Sequence, residues 1–488
     1  MRQLRIRRSK IDSAFQSLER RTHLSRTVAN AAASVVREYD AANSIHLPRY
    51  ETDAEKQQAT QNGPQTIEVP GPAPTGPIDP VAEYDDMEGL VVSWTGSTAW
   101  INNLAQMTRY VTVEAGGRMY IGVTSSTVQA SAVTKLTAYE ANLDNVTFYT
   151  TPMNSIWARD YGPRYVYEGD VRVITDHQYN VNRPLDDHIP ANFSLLKQQQ
   201  IYQMGIGNNP LKHGGGNFHL TTNGDAYMTQ LVNNNNPSFT SSQIQQLYRD
   251  YQNDDVTITG VFPGSVDGTG HIDMWMQIYD DNKVFISDWP NNPGSTQDNI
   301  CETTATLMAS RGYQVTRIPA YSISGVHYTF ANMVIFNNVV MLPQYTNGPG
   351  ATVSAQALAT VQAAFGASKT VYGINANSII TAAGAFHCIV QHIPVPHGAA
   401  GANGGLAPTA YVRELEAATY YAGQEIDISW ISDDDAVLSQ LNGVQSVDVL
   451  LSTDGGASFP QILAADRDPL GLFTWTVPSG IDTTTARI

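Results

Sequence analysis

The chain has 488 residues, too many for one ordinary core, and its length points to roughly three units. Its 42% hydrophobic and 9% aromatic content can fill a sizeable core, which excludes a chain disordered throughout. A net charge of −17 argues against nucleic acid as a partner, since phosphate binding needs a basic face, and it favours a cationic ligand.

Taken in chain order, residues 1–10 are basic, with no apolar stretch behind them, so no standard signal peptide is visible. No apolar run is long enough to span a bilayer. Ile11, Phe15, Leu18 and Val28 fall at helical spacings, predicting a helix over 11–40. Residues 55–80 are rich in Gln, Thr, Gly and Pro and read as a linker or extended arm.

From 80 to 396, β-like and helical runs alternate. Strands are expected at 90–94, 119–123, 146–149, 171–175, 256–261, 284–287, 333–336 and 339–342, with helices at 98–111, 241–251 and 354–365. That alternation implies an α/β domain. Asn337-Asn338 between two strands predicts a tight hairpin. Residues 398–405 (GAAGANGG) are flexible punctuation. Beyond them, alternating runs at 426–430, 447–451 and 473–477 predict an immunoglobulin- or fibronectin-like sandwich, its last strand expected to continue past Ile488. The expected division is an N-terminal helix and arm at 1–79, an α/β domain at 80–396, a Gly-rich linker at 397–408 and the β-module at 409–488.

Four clusters in the α/β domain could carry chemistry. Trp157-Ala158-Arg159-Asp160-Tyr161-Gly162-Pro163 ends in a fixed turn, with Arg159 and Asp160 readable as a surface ion pair. Gly214-Gly215-Gly216-Asn217 permits a close backbone approach or a tight turn. In Gly270-His271-Ile272-Asp273, an extended backbone would point His271 and Asp273 into one space, as metal ligands, an acid/base pair or a structural bond. The fourth, His387-Cys388, offers a nucleophile or an inert core thiol. Cys388 has one companion, Cys301; a bond between them and two free thiols both fit the sequence.

Together and in this order, the clusters resemble the agmatine deiminase and bacterial peptidylarginine deiminase family of the guanidine-modifying superfamily. Pro80-Val81-Ala82-Glu83-Tyr84, the 89–94 strand and Asn332 in Ala331-Asn332-Met333 complete the match, which covers about 80–396. The resemblance implies a five-bladed ββαβ (pentein) propeller. It also implies hydrolysis of a guanidinium to a urea and ammonia through a covalent thiouronium on Cys388. His271 would be the general acid and base, Asp160 and Asp273 the carboxylates on the guanidinium, and Asn332 an orienting residue. Trp157, Arg183 and Asn217 would bind substrate, and no metal or organic cofactor is implied.

In Tyr179-Asn180-Val181-Asn182-Arg183-Pro184, Arg183 matches a carboxylate-binding arginine of members acting on C-terminal arginine, while Val181 stands where a second would be. The substrate expected is therefore arginine or peptidylarginine, C-terminal arginine favoured, with agmatine giving N-carbamoylputrescine as the alternative. The β-module and the low charged fraction (15%) fit a secreted or cell-surface protein. A non-catalytic guanidine-binding or adhesion protein, and a metal-dependent hydrolase built on His271 and Asp273, stay as readings of other classes.

Overall fold

The structure, a computed structural model, describes residues 46–62, 69–399, 406–413, 415, 419–434 and 444–488, together with the short strand Arg5–Arg7. The helix expected over 11–40 and most of the 398–405 linker lie outside the described residues.

One arrangement recurs through the α/β domain: an antiparallel strand pair, a helix, and a strand returning parallel to the second of the pair. Met276–Asp280 and Lys283–Asp288 pair antiparallel, Thr296–Ser310 crosses over, and Gln314–Ile323 runs parallel to Lys283–Asp288. A parallel return needs a crossover of this kind. The pattern repeats with Val334–Phe336, Val339–Gln344, Gly350–Phe365 and Thr370–Asn375. Asn337 takes the left-handed turn of that hairpin at φ 48°. It repeats again with His219–Leu220, Asp225–Thr229, Ser241–Gln252 and Asp255–Thr259, and with Arg164–Glu168, Val171–Asp176, Ile189–Lys197 and Ile201–Gln203.

The fifth unit joins the two ends of the domain. Gln391–Pro394 pairs antiparallel with Met87–Ser93, which lies parallel to Arg118–Val123 after the helix Thr98–Arg109. The first and last parts of the domain thus share one sheet.

Local sequence explains the helices. Ser241–Gln252 opens on a capping box between Thr240 and Gln243, and Ile244, Leu247, Tyr248 and Tyr251 form its buried stripe. Strands such as Val339–Gln344 are almost wholly buried, so they read as continuous apolar runs rather than alternating ones.

The C-terminal region forms two antiparallel three-stranded sheets: Thr409–Val412, Glu425–Asp433 and Gly471–Thr476 in one, and Arg5–Arg7, Ser446–Leu451 and Gln461–Arg467 in the other. Both contribute to one apolar cluster that includes Ile428, Trp430, Val447, Val449 and Leu451. The N-terminal strand in the second sheet had no counterpart in the sequence reading.

One expectation needs correction. Residues 55–80 are not simply a linker: Asp53–Asn62 is helical, and Ile78–Asp79 pairs with Arg164–Glu168. Of the two readings open for the cysteines, the structure has free thiols: Cys301 and Cys388 are both free and buried.

Candidate active site

Asp160 projects from the one-turn helix Ala158–Tyr161, Asp273 from the turn Ile272–Met274, and Cys388 from the turn His387–Ile389. All three are fully buried. Between them lies the guanidinium of Arg49, a residue of the polar segment preceding the α/β domain. Its Nε donates to Asp160 Oδ2 at 2.8 Å and Nη2 to Asp160 Oδ1 at 2.7 Å. Nη2 and Nη1 each donate to Asp273 at 2.9 Å, and Nη1 also reaches Cys388 Sγ at 2.6 Å. All five guanidinium N–H donors are therefore used.

The glycine run makes room for this. A methyl group on Gly216 would fall onto Arg49 Nη2, 2.6 Å from Asp273 Oδ2 and 2.8 Å from Asp160 Oδ1. Gly216 N also donates to Asp160 Oδ1 at 3.2 Å. Here the missing side chain is a requirement of the site, not of a turn.

Electrostatics follow from burial and pairing. Burial alone would raise the pKa values of Asp160 and Asp273; the adjoining Arg49 charge overrides it, and both are held well below the usual carboxylate range. Burial opposes the charge on Arg49, yet the two carboxylates push its pKa further up. Burial raises the Cys388 thiol, and both aspartates add to that; Arg49 is the largest influence the other way, with a smaller one from the Ala385 backbone. A cation in this seat is thus what favours the thiolate.

Around this centre, Asn332 accepts from Cys388 Sγ at 3.2 Å and from Ala385 N at 3.1 Å, and its amide donates to the Asp273 carbonyl at 3.2 Å. His271 Nδ1 stands 3.4 Å from Asp160 Oδ1 with no hydrogen-bond partner. It reaches the site from an extended residue followed by a turn, not from the continuous strand the sequence suggested. Trp157 is buried, and its Nε1 donates to the Leu47 carbonyl at 2.9 Å. Arg183 Nη2 donates to the carbonyls of Pro48 at 2.7 Å and Tyr50 at 3.2 Å, and Arg183 Nε to Glu55 at 2.8 Å.

Asn217 differs from its expected place among substrate contacts. Its side chain bonds the backbone of Thr229 and Ile272, which pins the turn carrying Asp273. Arg159 and Asp160 are not a surface ion pair. Both are buried, and Arg159 turns away to Glu83 at 2.6 Å and His392 at 2.9 Å.

Sequence reasoning assigned no role to Glu83, His387 or Arg49. Glu83 lies in a stretch that carried the resemblance, and His387 adjoins Cys388, which were the available signals. Glu83, His219 and His387 also bring ligand atoms within 4.8 Å of one another, a spacing that could hold a metal ion. His387, however, already engages Asp273 through Nδ1 and Glu83 through Nε2, so it would have to surrender a bond to take one.

Repeated ββαβ units that bring a buried thiol against a guanidinium between two carboxylates are the features of a guanidinium-handling site. Residues 80–394, well over half of the chain, match the model of the Porphyromonas-type peptidyl-arginine deiminases, and the chain belongs to that family. Its members act hydrolytically on amidines, here on a guanidino group. A Shewanella baltica protein provisionally named agmatine deiminase is 26% identical over 296 residues, covering 51% of this chain and 76% of its own. The C. jejuni agmatine deiminase with substrate bound superposes with a TM-score of 0.55 at 16% identity, over 65% of this chain and 96% of its own. The agmatine deiminase of Enterococcus faecalis gives a TM-score of 0.56 at 18% identity, over 66% and 98%. Likeness at that identity shows the shared α/β fold.

Proposed function

We propose that this enzyme deiminates the arginine side chain of peptides, using Cys388 as nucleophile and releasing ammonia. The observation that supports it most is the complete bracketing of a guanidinium by Asp160 and Asp273 against Cys388 Sγ. A guanidinium is a poor electrophile because its charge is delocalised. Two carboxylates fix its plane, and that cation is the main charge that stabilises the thiolate. The thiol proton passes to His271, the sulfur adds to the central carbon, and ammonia departs with that proton, leaving a thiouronium on Cys388. His271 then activates the water that releases the urea. Asn332 holds the sulfur towards Asp273.

The peptide specificity rests on the groups outside the guanidinium seat. Trp157 Nε1 and Arg183 Nη2 both donate to peptide carbonyls, and Arg183 Nε meets a carboxylate. Peptide arginine offers such acceptors; agmatine presents a cationic amine, which Arg183 repels. The Arg183–Glu55 contact also leaves room for C-terminal arginine, whose carboxylate would take the place of Glu55. The names of the relatives favour agmatine as the second reading. On this proposal the five ββαβ units are the blades of a propeller around the site, and the C-terminal sheets form an immunoglobulin- or fibronectin-like sandwich.

The test is to measure ureido product from agmatine, free arginine, a peptide ending in arginine and a peptide with internal arginine. Peptide substrates are expected to give the highest kcat/KM. Product from agmatine alone would sink the peptide reading.

A further inference from the structure

Residues 46–55 lie across the site as a bound peptide would. Arg49 N donates to the Ala382 carbonyl at 2.9 Å, while the carbonyls of Leu47, Pro48 and Tyr50 accept from Trp157 and Arg183. Asn182 N donates to Glu51 at 3.3 Å, and Arg183 pairs with Glu55. Tyr50, Glu51 and Lys56 line a cleft of about 500 Å³ together with Asp267, His327 and Thr381. An outside guanidinium cannot enter the seat while Arg49 fills it.

The segment is held by polar contacts rather than by burial. In the helix Asp53–Asn62, Glu55 is buried, whereas Asp53, Ala54, Lys56, Gln57, Thr60 and Gln61 are exposed. Among its described contacts, the two buried charged side chains are Arg49, paired with Asp160 and Asp273, and Glu55, paired with Arg183.

We propose that Arg49 is a substrate of its own chain: the enzyme deiminates it in place, and the conversion releases the segment and opens the site. This rests on the deiminase reading given above. Cys388 thiolate forms a bond to Arg49 Cζ, and one terminal C–N bond breaks, its nitrogen leaving as ammonia with the proton held by His271. Water then adds to the same carbon, the C–S bond breaks, and the thiolate is restored. One water is consumed, one ammonia is released and no electrons change hands. The product is a neutral ureido group with an oxygen facing carboxylates that previously received N–H donors. The Coulombic attraction is lost and a repulsive contact takes its place, so the segment leaves.

The experiment compares the full-length wild-type chain with Cys388→Ala by mass mapping of the peptide spanning residue 49. Deimination of an added arginine peptide by the wild type and by Arg49→Ala is assayed in parallel. Expected are a ureido group at position 49 in the wild type and intact arginine in Cys388→Ala. In freshly made protein, Arg49→Ala is expected to turn over added peptide about tenfold faster, as it should if the open state is under a tenth populated before conversion. Intact Arg49 in a wild-type preparation that deiminates added peptide would overturn the proposal. So would an inert wild type with intact Arg49 alongside an active Arg49→Ala, since Arg49 would then only block the site. Inactivity of every chain on every guanidine would overturn the deiminase reading itself, and this proposal with it.

Discussion

His387 Nδ1 lies 2.8 Å from Asp273 Oδ2, and His387 Nε2 contacts both oxygens of Glu83 at 2.8 and 2.9 Å. Glu83 also receives Arg159 at 2.6 Å, and its pKa is held well below the carboxylate range: burial opposes this, and Arg159 and His387 overcome it. A buried chain of four groups thus fixes the rotamer of one guanidinium-binding carboxylate.

This makes His387 a positioning residue. His387→Ala should lower kcat/KM for peptide arginine about a hundredfold, the scale of a 1 Å misplacement, with folding retained. His387→Asn, which can still donate to Asp273, should recover part of the loss. Steady-state kinetics on both variants check it; equal activity in all three chains would remove the role.

Gly216→Ala should abolish guanidinium binding without unfolding the chain, because the added methyl meets Arg49 Nη2 and the two carboxylates. Thermal unfolding and substrate titration together check this. Normal binding by a folded Gly216→Ala chain would contradict the geometry.

Stability should fall on acidification before ordinary carboxylates titrate. Burial lowers His177 and His219 to about 4, and His327 and His392 to about 3, from 6.5. These folded-state values are depressed for bases, so the native state keeps them neutral while the unfolded chain takes up protons. Their contribution is fully present above pH 6.5 and is lost as pH falls from there towards 3–4, by about 1.4 kcal/mol per pH unit per group at most. His327 has no partner on either ring nitrogen and packs against Trp289 and Phe262. Urea midpoints for His327→Phe between pH 7 and pH 4 should show a shallower slope than the wild type.

The C-terminal sheets are tied to the α/β domain by a buried charge. Arg172 donates to Asp433 at 2.5 and 3.1 Å, to the carbonyls of Pro394 and Asp434, and to Glu88. Asp433→Ala leaves that charge short of a partner and should cost about 3–5 kcal/mol in urea unfolding. A loss below about 1 kcal/mol would mean the two regions are not coupled through this pair.

What was legible in the sequence was local or repeated. Val339–Gln344 and Ser241–Gln252 announce themselves by apolar runs and helical spacing. The motifs around Asp160, Asp273 and Cys388 stand out by residue type, and the fold brings them together. Asp160 and Arg159 show the limit: adjacent on one helical turn, they serve different partners, and no spacing rule separates them. Glu83 and His387 lie 304 residues apart, and Arg49 and Cys388 lie 339 apart. Such contacts are made by the pairing of the domain's two ends and by the path of a polar segment, and they leave no periodic trace in the chain.

The most direct test measures ureido product from an arginine peptide with Arg49→Ala and with Arg49→Ala carrying Cys388→Ala. The account predicts turnover by the first and a loss of at least about a thousandfold in the second, as removal of a nucleophile requires. Comparable turnover by both chains would contradict it.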